Sequence, residues 1–361
     1  VSANYNGGTI SVLKGNGDGT FGTAVTYAAP NQPFHVAVGD LNNDGKPDVV
    51  VTRYNGAAVR VFLNNTVTVG TLVLAAGVDY ATGAQPIRLV LQDLNGDGRL
   101  DLATANYSGN SVSILLGNGV GAAGDGTFAA KVDFAVSGSP YSIAAGKLNL
   151  DNLVDLAVGT EGDKALKVYY RQGDGSYTAG DVFTWGPSYG VKEVAIGDVN
   201  GDTRADVVAV QDYGTQIRRW HQQANGTLVE GTELSLNGNT HAYSLLLQDL
   251  NGDGKPEVIG GGYYNVNVFE NQGAGVFGSP FSPDMNGSAY VFGVAAGDFN
   301  GDGRMDLVAP VYNRNTVRVF LGRGPETMQA DGTGTLGRAR GNRSGAGDYD
   351  YFSFSAKAGD R

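Results

Sequence analysis

The chain has 361 residues, no cysteine and a formal charge of −11. It is long enough to bury a core, cannot build a disulfide framework, and lacks the basic balance of a nucleic-acid binder. No run of about 18 apolar residues occurs, so no helical membrane span is expected, and 57 glycines against 11 prolines fit short strands joined by tight turns.

In chain order, residues 1–5 read as a short strand that ends at Tyr5-Asn-Gly. A Gly-Asn-Gly-Asp-Gly-Thr-Phe stretch at 15–21 is a turn signal. Residues 35–38 and 48–51 are β-branched runs that read as strands on either side of the loop 40–48. That loop carries Asp40, Asn42, Asp44, Gly45, Lys46 and Asp48, at its positions 1, 3, 5, 6, 7 and 9.

Nearly the same nine residues return five times, with first residues 53, 54, 51, 51 and 49 positions apart. The second loop has Asp93, Asn95, Asp97, Arg99 and Asp101, and the fourth has Asp198, Asn200, Asp202, Arg204 and Asp206. The fifth has Asp249, Asn251, Asp253, Lys255 and Glu257, and the sixth has Asp298, Asn300, Asp302, Arg304 and Asp306. The third departs from the pattern: Lys147 stands at position 1 and Asn152 at position 6, with Asn149, Asp151 and Asp155 between and after them.

Calcium takes six to eight oxygens in a flexible geometry. Side-chain oxygens at positions 1, 3 and 5, the backbone carbonyl of position 7 and a carboxylate at position 9 would supply such a shell. Glycine at position 6 gives the positive φ of a sharp turn. An EF-hand begins alike but needs Glu at position 12 and flanking helices; here position 12 is Val51 or Thr104 and the flanks are strands. An Asx-rich turn without metal is the simpler account of one copy. Five copies with a third carboxylate at a fixed offset favour about five Ca²⁺ sites. The third loop is expected to stay empty because of Lys147, and the fourth to bind weakly because Thr203 occupies the position of the glycine. Seventeen of the 36 acidic residues lie in these loops, and five bound Ca²⁺ would bring the charge to about −1. The acidity is therefore not a sign of a basic partner.

One repeat, 87–134, reads as four strands: 87–92, 101–107, 112–116 and 128–134. Four antiparallel strands per roughly 50 residues make a propeller blade. The second strand recurs seven times, at 1–5, 48–54, 101–107, 155–160, 206–213, 257–263 and 306–312, and the first strand six times. The fold expected is all-β, a seven-bladed propeller of four-stranded antiparallel blades over 1–324, with the first blade truncated at the N-terminus. A cation loop is expected just before residue 1, because 1–7 parallels 103–109.

These loops, the turn at 15–21 and the Asp-Leu-Val-Ala-Pro strand at 306–310 resemble FG-GAP/VCBS-type repeats, whose best-known relatives are the integrin α-subunit propellers. The resemblance covers about residues 1–324. It implies a seven-bladed propeller with calcium in the loops between first and second strands. It leaves function open, since such blades occur in adhesion proteins, fungal and bacterial lectins and a few polysaccharide lyases. Residues 325–347 read as a flexible linker. Residues 348–361 are similar to the opening of a bacterial pre-peptidase C-terminal domain, the start of a truncated β-sandwich. That resemblance, and the weak calcium affinity usual for extracellular loops of this kind, place the protein outside the cell or on its surface, in a bacterium.

Strand direction assigns the two faces of the disc. Cation loops share one face; the turns between second and third strands and the links between blades share the other. That second face collects Tyr54, Tyr107, Tyr213, Tyr264 and Tyr312 from the turns, with Glu161 breaking the series, and Phe34, Tyr141, Tyr189, Tyr243 and Tyr290 from the links. Any one of these rings could simply pack between blades. As a set they suit sugar rings or a protein partner. A non-catalytic binding or adhesion module for carbohydrate or a surface protein is the preferred function. A secreted polysaccharide lyase or hydrolase is the alternative, with His35 and His241 near the aromatic face as its mild support, and a rigid spacer in a large surface protein is the third.

Overall fold

The computed structural model describes residues 1–67, 72–186, 189–236, 241–283, 285, 290–311, 316–322 and the backbone of 350–352. Among them every regular element is a strand, apart from one 3-10 turn at Tyr54–Gly56. The strands form seven antiparallel blades, and two small hairpins hang from blades three and six.

Blade two shows the plan. Its strands Pro33–Gly39, Asp48–Arg53, Ala58–Phe62 and Val78–Ala81 run from the axis to the rim in sequence order. Blade three repeats it with Pro86–Gln92, Asp101–Asn106, Ser111–Leu115 and Val132–Ala135. Blade four uses Pro140–Gly146, Asp155–Thr160, Ala165–Arg171 and Tyr177–Thr184. Blade five has Val191–Gly197, Asp206–Gln211 and Gln216–Gln222, with Leu228–Glu230 and Leu234–Ser235 sharing its rim. In blade six, Ala242–Gln248, Glu257–Gly262 and Val266–Phe269 are followed by a single bridge from Val268 to Phe281. Blade seven is described as Ala295–Gly297, Asp306–Val311 and Thr316–Phe320.

Blade one consists of Ser2–Asn4, Thr9–Val12 and Val25–Ala28, and the strand Asp350–Phe352 pairs antiparallel with Ser2–Asn4. Three residues of the segment expected to open a separate sandwich thus stand where blade one lacks a first strand. The rest of 325–361 lies outside the described residues.

Alternation along the second strands explains why they read as unbroken apolar runs. Side chains of a strand point to opposite faces of its sheet, and here each face meets a neighbouring blade. Val49 and Val51 join Ala3 and Ile10 in the seam between blades one and two, while Val50 joins Leu102 and Leu115 in the next seam. Leu156 and Val158 likewise pack toward blade three and Ala157 toward blade five. Rim strands such as Val78–Ala81 are exposed on most positions.

The rim of blade three departs from expectation. Residues 128–134 were expected as its fourth strand, but Ala123–Phe128 folds back on Gly117–Val120 as a hairpin and the rim strand starts only at Val132. This hairpin reaches blade two, where the Gly124 amide donates to Asn43 Oδ1 at 2.9 Å and the Gly126 amide to the Leu41 carbonyl at 3.1 Å.

Candidate metal loops and an aromatic face

Five of the six loops share one hydrogen-bond scheme. The position 1 carboxylate is its hub: Asp93 accepts the amides of Gly96, Asp97 and Gly98 at 2.7, 3.2 and 2.8 Å. Asp298 accepts three amides in the same way, Asp198 these three and that of Asn200, and Asp40 and Asp249 accept two each. Position 3 accepts the amide of position 5, as in Asn42, Asn95, Asn200, Asn251 and Asn300. Position 5 accepts that of position 7, as in Asp44, Asp97, Asp202, Asp253 and Asp302. Gly45, Gly98, Gly254 and Gly303 at position 6 lie at φ from +82° to +85°, and Thr203 takes the same region at +69°.

Position 9 has a different place. Asp48, Asp101, Asp206 and Asp306 are fully buried, and Glu257 nearly so. Asp101 accepts the Leu94 amide at 2.9 Å and the Gly117 amide at 2.8 Å, so it ties the loop to the end of the third strand. The other blades repeat this pair of bonds, including Asp155 in the third loop. Burial raises the carboxyls of Asp48, Asp101 and Asp306, and the position 5 and position 1 charges of the same loop add to the rise. Asp155 is pushed up to about 6, again by burial first.

The basic residues at position 7 turn their side chains onto the loop. Lys46 and Lys255 pair with Asp44 and Asp253 at 3.1 and 3.0 Å, and Arg99 and Arg204 pair with Asp97 and Asp202. Arg99 also donates to the Gly117 carbonyl at 2.8 Å, and Arg204 to that of Gln222 at 2.8 Å.

Among the described residues no three acidic or histidine side chains stand close enough to clasp a metal as they lie. The donor set still fits a hard cation in kind, all oxygen with two or three carboxylates per loop. Uptake would exchange amide partners at positions 1, 3 and 5 for the ion. The third loop lacks the hub. Lys147 is exposed, has no ion pair among the described residues, and cannot accept the amides that Asp93 gathers.

On the opposite face the rings converge on the axis. Phe34, Ile87 and Phe292 are buried there, and Tyr5, Tyr54, Tyr107, Tyr141, Tyr243 and Tyr290 pack around them. Phe34 stacks on Tyr54 at 6.0 Å and meets Tyr141, two blades away, edge-on at 6.3 Å. Tyr107 and Tyr141 meet at 6.3 Å. Tyr243 touches Phe292 at 5.2 Å and Tyr263 at 5.1 Å. In blade six the ring that joins the cluster is Tyr263, and Tyr264 stands 48 % exposed beside it. Tyr189 and Tyr213 pair at 5.2 Å with 43 and 46 % of their surface exposed, and His241 packs on Tyr213 at 4.8 Å. Tyr312 lies outside the described residues.

Charge borders this patch. The Lys192 ammonium sits 4.0 Å from the Tyr141 ring centre and pairs with Glu161 at 3.2 Å and Asp212 at 3.4 Å. Burial raises the Tyr107 hydroxyl, and the Glu161 charge adds to it. Lys192 and Asp212 carry no sequence motif. Aligning the repeats on their loops would have found Lys192 at the position of Phe34, Ile87, Tyr141, Tyr243 and Phe292.

The FG-GAP-like repeat family matches residues 1–51, 41–104, 93–158, 147–209, 198–260 and 249–309, so the chain belongs to that family. No curated protein matches. Among solved structures, a protein of unknown function from Desulfotomaculum acetoxidans is 12 % identical with a TM-score of 0.63, covering 92 % of this chain and 95 % of that one. A putative 6-phosphogluconolactonase from Bacteroides fragilis is 18 % identical with a TM-score of 0.62, covering 88 % and 90 %. An Agrocybe aegerita lectin that recognises non-reducing terminal N-acetylglucosamine is 17 % identical with a TM-score of 0.56, covering 91 % and 92 %. At these identities the likeness is one of fold.

Proposed function

We propose that the chain is a non-catalytic, extracellular binding module whose aromatic face takes up carbohydrate or a surface protein, on a scaffold stiffened by calcium. The observation that carries this reading is the partly buried aromatic patch at the axis, bordered by Lys192, Glu161 and Asp212, with the more exposed rings Tyr189, Tyr213 and Tyr264 on the same face. Rings that only filled seams would be covered; Tyr189, Tyr213 and Tyr264 keep nearly half their surface in solvent. Stacking on a sugar's apolar face, with charged groups at its edge for hydroxyls, is the recognition such a patch suits. A lectin among the structures of like fold is in keeping with it. Because the rings meet at the axis, one central site is a better description than repeated grooves between blades.

The test is a glycan array probed with the wild type and with the double variants Tyr107→Ala/Tyr141→Ala and Tyr189→Ala/Tyr213→Ala. Each pair should weaken binding at least about tenfold, the scale of a lost aromatic anchor, while melting temperature moves little for the exposed pair. If both variants fold and bind as the wild type does, the rings are packing, and the rigid-spacer account takes over.

Calcium would be held by positions 1, 3, 5, 7 and 9 of loops one, two, four, five and six. Lys147→Asp should add one bound calcium by supplying the missing hub carboxylate. Calorimetric stoichiometry checks it, and an unchanged count would overturn the reading that Lys147 keeps the third loop empty.

A further inference from the structure

A second set of residues in the first strands faces a different space. The residues that follow Phe34, Ile87, Tyr141, Lys192, Tyr243 and Phe292 are His35, Arg88, Ser142, Glu193, Ser244 and Gly293 in blades two to seven. In five of these strands the pairing with the second strand shifts register at this point. Phe34, Ile87, Tyr243 and Phe292 go to the aromatic patch, while His35, Arg88, Ser244 and Gly293 line a cavity of about 260 Å³ beneath it. Glu193 lines it from blade five, and Leu246, Gln248 and 294–296 complete it toward the cation-loop side.

We propose that this axial cavity binds a small oxyanion, a carboxylate or a phosphate, through Arg88, His35 and Ser244. Arg88 is buried, with its guanidinium 2.6 Å from Glu193 Oε2. The Leu89 amide lies 3.4 Å from His35 Nδ1, which makes Nδ1 the acceptor and puts the ring proton on Nε2. Burial, and then the Arg88 charge, hold this imidazole neutral. Ser244 is 4 % exposed, and its hydroxyl oxygen has no hydrogen-bond partner among the described residues. Donors from three blades therefore line one half-open cavity.

Packing alone does not account for them. A buried ion pair stabilises a fold little better than apolar residues of like volume, and the same register position is serine or glycine in blades four, six and seven. Ionisable groups gathered in a cavity, beside a hydroxyl left without a partner, are the pattern of a ligand site. At about 30 Å³ per water the space takes some eight waters, or a ligand of roughly ten heavy atoms.

Glu193 sets the charge balance. Burial pushes its carboxyl up to about 7 in spite of Arg88. An arriving anion can thus be matched by a proton taken up on Glu193, which leaves the Arg88 charge to the ligand. The ionisable groups that line the cavity with it are His35 from blade two and Arg88 from blade three; blades six and seven present Ser244, Gln248 and backbone, and no described residue of blade one lines it. Affinity should therefore fall as pH rises through 7, by about tenfold between pH 6 and pH 8 for one linked proton.

The experiment is calorimetric titration of the full chain with acetate and, separately, with inorganic phosphate, in buffers stripped of metal by resin, at pH 6 and pH 8. One equivalent should bind, more tightly at pH 6. The double variant Arg88→Met/Glu193→Met, which leaves no unpaired buried charge, should lose at least about tenfold in affinity. Ser244→Ala should weaken binding severalfold and keeps the test open if the double variant does not fold. Response to acetate alone marks a carboxylate site, and to phosphate alone a phosphate site. No binding of either anion up to about 10 mM, or binding unchanged in these variants or with pH, overturns the proposal. The carbohydrate reading is untouched by either result, since its test lies on the aromatic face.

Discussion

Asp101→Ala should lower the stability of the metal-free chain by roughly 2–6 kcal/mol, because two buried amides lose their acceptor at about 1–3 kcal/mol each. Those amides belong to Leu94 and Gly117, and the carboxylate that accepts them is fully buried. Asp155→Ala should cost about as much, since its bonds to the Leu148 and Arg171 amides are the same and its loop lacks the position 1 carboxylate. Guanidinium unfolding in calcium-free buffer measures both. A loss confined to loops able to bind calcium would mean that position 9 serves the ion alone. Equal losses would make the ninth carboxylate a brace of the blade that a cation can also use.

That double duty was not legible in the sequence, for a physical reason. The spacing of Asp40, Asn42, Asp44 and Asp48 shows which oxygens a tight loop can gather, but the Asn64 amide that Asp48 also serves stands 16 residues further on. The blades themselves were legible because a second strand such as Asp101–Asn106 is apolar on both faces and recurs with the loop. The faces of the disc were legible too, since strand direction fixes which end each Tyr occupies. Distance from the axis was not. A periodic pattern gives height along a blade, and only the register shift at Pro33–Val36 sends Phe34 into the central patch and His35 into the cavity. The hairpin at 117–128 was not legible for a related reason: the glycine-rich stretch before 128–134 reads as a plain connection to the rim strand, whereas such a segment, with little apolar content, pairs with its own neighbour.

Millimolar calcium should raise the melting temperature by at least about 10 °C over the value in a chelator, the largest effect expected for this chain. At 1 mM calcium one site with a Kd of about 10⁻⁴ M contributes about 1.4 kcal/mol, and five such sites act on one cooperative disc. Electrostatics in three of the loops favour the same outcome. Burial and the charges of positions 1 and 5 together raise the carboxyls of Asp48, Asp101 and Asp306, so the folded state carries repulsion that a divalent cation would remove. Lys46, Arg99, Arg204 and Lys255 offset part of it from within the loops. The effect should also spread, because the hairpin gripped by Arg99 in blade three donates to Leu41 and Asn43 in the loop of blade two. Asp97→Ala is the informative variant. Without calcium it should change the melting point little, since Asp97 is partly exposed; with calcium it should forfeit about one site's share of the rise. Equal midpoints for the wild type in calcium and in chelator would sink the calcium reading and leave the loops as braces held by their own amides.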